Sequence, residues 1–162
     1  MSDYLIVVVN RSLARFFTLE PVEFPQLESG PRLEECGEMS NPGIMDAQRL
    51  FTDSKPGRGA APGGAVHGYD DHRDQYLDDL RRRFATKVAE EIRRLAKNKG
   101  VRRIILVSSA GMRQFLYPDL ERLAHQEDYR IFRLSKNMIN FTPQKIHAYL
   151  AEEGMIPERK MV

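Results

Sequence analysis

Cysteine is nearly missing from this chain: Cys36 is the only one in 162 residues. No internal disulfide can form, so nothing in the cysteine pattern points to an oxidising compartment. The lone thiol is expected to be a packed strand residue and not a nucleophile. Long apolar runs are missing too. The N-terminus offers only Tyr4–Val9, behind an acidic Asp3 and without a basic flank, and no later run approaches the ~20 residues that span a bilayer. Neither a standard secretory leader nor membrane insertion is indicated, and a cytoplasmic location is expected. Phosphate-binding glycine signatures are absent as well. No Walker-type loop precedes a helix, and Asn10-Arg11-Ser12 lacks the Asp-x-Gly turn that lets a backbone approach a phosphate.

What is present fits an ordinary globular chain. The hydrophobic fraction is 41% and the charged fraction 30%, without the bias of a disordered or fibrous sequence, and the length suits one domain with its own core. The net charge of +2 hides an asymmetry: residues 1–80 hold 7 Lys/Arg and 14 Asp/Glu, whereas residues 81–162 hold 18 and 9. A basic half of this kind marks either a solvated face or a surface for nucleic acid.

The order of elements follows from periodicity and punctuation. Tyr4-Leu5-Ile6-Val7-Val8-Val9 is a β-branched run, Leu13–Leu19 is a second extended segment, and Asn10-Arg11-Ser12 reads as a tight hairpin turn between them. After Pro21, Pro25 and Pro31, residues 33–39 suit an edge strand. From Ser40 to Tyr69 glycine, proline and alanine dominate, which predicts a long flexible loop. Residues 70–99 read as one helix, because Leu77, Leu80, Phe84, Val88, Ile92 and Leu95 recur at spacings of three and four, and Gly100 closes it. Val101–Val107 suits a buried central strand. A helix over 111–126, interrupted near Pro118, a strand over 129–135, and a last helix capped by Thr142 with Pro143 at its first position complete the chain. Strands at 4–10, 13–20, 33–39, 101–107 and 129–135 in the order β-β-β-α-β-α-β-α define an α/β domain of the ribonuclease-H-like kind, with a mixed five-stranded sheet.

That topology carries a chemical test. Nucleases on this fold hold two metal ions with carboxylates on the first strand, the long helix and the fourth strand. Here the first strand has no acid, the fourth ends in Ser108-Ser109, and Glu90 and Glu91 on the helix have nothing to share a cation with. No catalytic residue, metal ligand or cofactor is assigned. Weaker candidates have plainer readings. His67 and His72 beside Asp70, Asp71 and Asp74 are a low-specificity ligand set. Ser108 and Ser109 lack the Gly-x-Ser-x-Gly elbow of a nucleophile and read as helix capping. His125 and His147 read as surface or packing residues.

The segments Asn10–Leu19, Asp53–Arg58 with Pro56 and Gly57, Gly63-Gly64, His67, the long helix, Ile104–Val107 and Asn137–Leu150 together resemble the bacterial host attachment protein family, also called protein required for attachment to host cells. The likeness spans nearly the whole chain, and the family's usual first-strand aspartate is Asn10 here. A more distant resemblance is to the central domain of archaeal and eukaryotic peptide-chain release factors, in which a loop bearing Gly-Gly-Gln leads into a long basic helix. Lys55-Pro56-Gly57-Arg58-Gly59 and Gly63-Gly64-Ala65 have that layout. Ala65 stands where the glutamine would, and a methyl group cannot hydrogen-bond a water at a peptidyl ester. The resemblance therefore implies binding to the ribosome or structured RNA without peptide release. An adhesion role, as the family name suggests, and an enzyme acting around the glycine-rich loop are the alternatives.

The helix supplies the surface such binding needs. Between Arg81 and Arg103 lie Arg81, Arg82, Arg83, Lys87, Arg93, Arg94, Lys97, Lys99, Arg102 and Arg103, opposed only by Glu90 and Glu91. With the apolar stripe turned inward, the helical period sends many of these cations outward as one continuous stripe, without an aromatic motif for base stacking.

Overall fold

The computed structural model describes residues 3–43 and 65–160. In chain order the elements are β1 (Tyr4–Val9), β2 (Leu13–Glu20), β3 (Arg32–Ser40), α1 (Ala65–Lys99), β4 (Arg103–Ser108), α2 (Ala110–Glu127), β5 (Arg130–Ser135) and α3 (Pro143–Glu152). The sheet order is β3-β2-β1-β4-β5. β1 and β2 pair antiparallel, as do β2 and β3, while β1–β4 and β4–β5 are parallel. This is the mixed five-stranded, ribonuclease-H-like arrangement: a meander, then two crossovers that lay β4 and β5 beside β1.

Local chemistry explains the turns. Asn10 Oδ1 accepts hydrogen bonds from the backbone N–H groups of Ser12 and Leu13, each at 2.8 Å, which closes the β1–β2 hairpin. Thr142 Oγ1 accepts from Lys145 N at 3.1 Å, and Pro143 opens α3 where its missing N–H costs nothing. Gly100 takes a left-handed φ of 66°, and Val101 N donates to Ala96 O at 2.9 Å, so α1 ends in a Schellman motif. An L side chain at that φ costs about 1 kcal/mol or more. Gly100→Ala is therefore expected to destabilise the protein by about that amount in urea unfolding.

Two boundaries differ from the sequence reading. The expected loop through Tyr69 gives way at Ala65, where α1 begins. The long helix extends N-terminally past the first apolar repeat, through Gly68. The second helix is not interrupted near Pro118: α2 runs through it. Both Pro118 and Gln114, whose carbonyl loses its partner, are exposed, so water can take up the unmatched acceptor.

Apolar side chains on the two faces of the sheet form two cores. On one face Leu5, Val7, Phe16, Ile104 and Leu106 pack under α1 and α2, through Phe84, Val88, Ile92, Met112, Leu116 and Leu120. On the other, Ile6, Val8, Phe17, Ile105 and Val107 pack under α3 and the segments around it, through Met138, Ile139, Ile146, Leu150 and Ile156. Arg15 on β2 fastens this second layer. Its guanidinium pairs with Glu35 at 2.9 Å and donates to the carbonyls of Ile139 and Phe141 at 3.0 and 2.8 Å. Glu35 holds the Arg15 pKa above its ordinary value.

Candidate nucleic-acid interface

α1 owes its orientation to one buried stripe: Leu77, Phe84, Ala85, Val88, Ile92, Leu95 and Ala96. Around the remaining circumference, Arg82, Arg83, Lys87, Arg93, Arg94 and Lys97 are exposed. Arg81 is not among them. Its side chain is only 19% exposed, it pairs with Asp78 at 2.9 Å, and its Nε is buried without a partner. The spacing explains this: Leu77, Arg81, Phe84 and Val88 follow one another by four, three and four residues, so Arg81 falls in the inward stripe and not opposite it.

Several outward cations have carboxylate neighbours. Arg83 lies 2.8 Å from Asp79, Arg93 2.8 Å from Glu127 on α2, and Arg94 pairs with Glu91. Arg102, after the helix, lies 3.7 Å from Asp128. Exposed pairs of this kind hold by about 0–1 kcal/mol, so they yield readily to a multiply charged partner. Lys87 and Lys97 have no carboxylate partner among the described residues. Arg82 stacks over Phe115 of α2, 5.6 Å from the ring centre, at the edge of an α1–α2 groove of about 480 Å³. Of the carboxylates that line the groove, Asp78 pairs with Arg81 and Asp119 with Arg122, so Arg82 has no carboxylate partner there.

Asp53, Pro56, Gly57, Arg58, Gly63 and Gly64 lie outside the described residues. His67 falls in the first turns of α1, where only the backbone path is described. The structure thus places the cations of α1 on a defined surface.

The strand ends offer little for catalysis. Asn10 is committed to its own turn, Ser108 is wholly buried with Oγ donating to Ser109 O at 3.0 Å, and Glu91 is held by Arg94. Ser109 occupies the N-cap position of α2, yet its hydroxyl makes no capping bond and is buried without a partner. The expected capping role is therefore positional only. His125 is exposed. His147 is buried, with Nε2 donating to Pro157 O at 2.9 Å, and so ties α3 to the C-terminal segment.

Cys36 departs from expectation. It sits at the β3 bulge opposite Phe16 and Phe17 and is exposed, since the extra residue there escapes the alternation that would have packed it. Partial burial of its thiol raises the pKa above the ordinary value, more than Lys99 lowers it. Its alkylation at pH 8 should accordingly be slower than that of free cysteine, because less thiolate is present. Equal or faster alkylation would reveal an activated thiol.

The fold and this surface define a ribonuclease-H-like α/β protein whose crossover helix is cationic over its C-terminal half. The chain belongs to the family described as protein required for attachment to host cells, whose model matches residues 5–150. No curated protein matches it. Among solved structures, a Ppx/GppA family protein from Aquifex aeolicus is similar at 12% identity and a TM-score of 0.44, covering 91% of this chain and 38% of that one. The type II variant of the Aquifex aeolicus Ppx/GppA phosphatase is similar at 11% identity and a TM-score of 0.40, with 83% and 36% covered. An archaeal translation termination factor is similar at 15% identity and a TM-score of 0.37, with 93% and 39% covered. The chain thus spans less than two-fifths of each of these proteins, and nothing about its site follows from likenesses at this level.

Proposed function

We propose that this chain is a non-catalytic binding protein that holds structured RNA, on the ribosome or free, against the outer face of α1. The observation that carries the reading is the exposure of Arg82, Arg83, Lys87, Arg93, Arg94 and Lys97 on one helix whose inward stripe is fully packed. The bias lies in the C-terminal half of α1, where residues 81–99 hold eight Lys/Arg against two Asp/Glu, and a segment that needs only solubility does not need so strong a bias of one sign. Backbone phosphates suit such a surface, since long flexible cations pair with them without demanding a base sequence. Peptide release does not accompany the binding, because Ala65 offers no amide to position a water.

A second reading follows from the family's description: an adhesion role in attachment to host cells. Capture of the full chain from its own cell lysate, with and without ribonuclease, separates the two. RNA or ribosomal proteins recovered only without the nuclease support RNA binding. Nuclease-insensitive capture of a surface protein, with the chain itself in the exported fraction, supports adhesion and ends the RNA reading.

A further inference from the structure

The α3 face of the sheet is covered unevenly. α3 and its flanking segments bury Ile6, Val8, Ile105 and Val107, while Phe132 on the edge strand β5 stays 44% exposed. Register places the neighbours. Tyr4, Arg103 and Arg130 are successive partners across β1, β4 and β5, and Phe132 is paired with Ile105 one step further along the same face. The Arg103 guanidinium lies over the Tyr4 ring, 5.5 Å from its centre, and donates to Tyr4 Oη at 3.1 Å. Arg103 and Arg130 are exposed, and neither has a carboxylate partner among the described residues.

We propose that this strip is a stacking platform for single-stranded RNA. The proposal deepens the RNA reading and rests on it, but it uses a different surface. Phe132 presents an open ring to one base, and the Arg103–Tyr4 pair presents a flat guanidinium to another, with the Arg103 position about 8 Å from that of Phe132 by strand spacing and rise. Arg130, level with Arg103 and beside Phe132, is placed for the phosphate between them. The strip lies on the α3 face, opposite α1, and the two surfaces meet only around the end of the sheet, where Arg130 N donates to Arg102 O and residues 100–102 join the end of α1 to Arg103. A second copy is a poor occupant, because pairing β5 with another β5 would set Arg130 and Arg133 against like charges.

The test uses the full chain, a fluorescent twelve-nucleotide uridine strand and an RNA hairpin without overhang. Phe132→Leu keeps the apolar contact and removes the ring; Arg103→Gln removes the guanidinium. Phe132→Leu is expected to weaken the uridine strand by between about fivefold and 100-fold, to leave hairpin affinity unchanged, and to leave thermal unfolding nearly unchanged. Arg103→Gln should act in the same direction. If the wild type binds hairpin and Phe132→Leu binds the uridine strand as tightly as the wild type, the platform is refuted and the α1 reading stands. If the wild type binds neither RNA, both fail. Displacement of the uridine strand by poly-glutamate as efficiently as by unlabelled RNA would refute the platform in favour of an acidic protein partner.

Discussion

Ile105→Ala should destabilise the protein by about 2–5 kcal/mol, the range for deleting a branched side chain from a packed core. Ile105 is wholly buried in the second parallel strand, between Ile6 on β1 and Phe132 on β5, under the layer that includes Ile146 and Leu150. A cavity there is bounded by strands on both sides and a helix above, so little can collapse into it. For a chain of this size such a loss lowers the melting temperature by roughly 5–15 °C. Phe132→Leu, one strand away but exposed, should cost no more than about 0.5–1 kcal/mol. Urea unfolding of the two variants measures the contrast. Comparable losses would mean that β5 is covered where it is here described as open.

Arg82→Glu/Arg93→Glu should weaken structured-RNA binding by about 60-fold at 0.1 M salt, if each arginine neutralises one phosphate and each contact contributes a slope of ~0.9 in log K against log salt. Both side chains are exposed and lie on the same side of α1. Arg93 has a carboxylate neighbour, Glu127, at 2.8 Å. Charge reversal there also places like charges together, so some stability loss is expected alongside the binding loss. Circular dichroism and thermal unfolding of the variant separate the two effects.

The fold was readable because its local signals agree. A β-branched run ending in Asn-Arg-Ser gives a hairpin, a three-and-four repeat gives α1, and Gly100 and Thr142 mark helix ends with side-chain or φ requirements that few other residues meet. The start of α1 was not readable, since Ala65–Tyr69 contains Gly68 and follows Gly63-Gly64, which argue locally for a loop. Nor did propensity reveal that α2 passes Pro118, because that depends on which carbonyl faces water. On the site, the cationic character of the C-terminal half of α1 was legible from composition alone. The inward place of Arg81 was available in the spacing but hidden by its charge: a repeat counted only over apolar residues skips the arginine that shares their stripe. Cys36 could not be placed, because a bulge shifts the alternation without any glycine or proline at the residue itself. The Tyr4–Arg103–Arg130–Phe132 strip was invisible in the chain. Its members lie on three strands up to 128 positions apart, and only strand order and the path of α3 bring them together.

The central claim is that the outer face of α1 binds RNA through phosphate. The most direct test measures the affinity of the wild type and of Arg82→Glu/Arg93→Glu for one RNA hairpin at several salt concentrations. The account predicts a steep fall for the wild type, with log K declining by about 0.9 per log unit of salt for each contacted phosphate, and a slope shallower by about 1.8 in the double variant. An affinity that changes neither with salt nor with the two reversals would contradict it, leaving α1 a solvated helix whose cations serve only their neighbouring carboxylates.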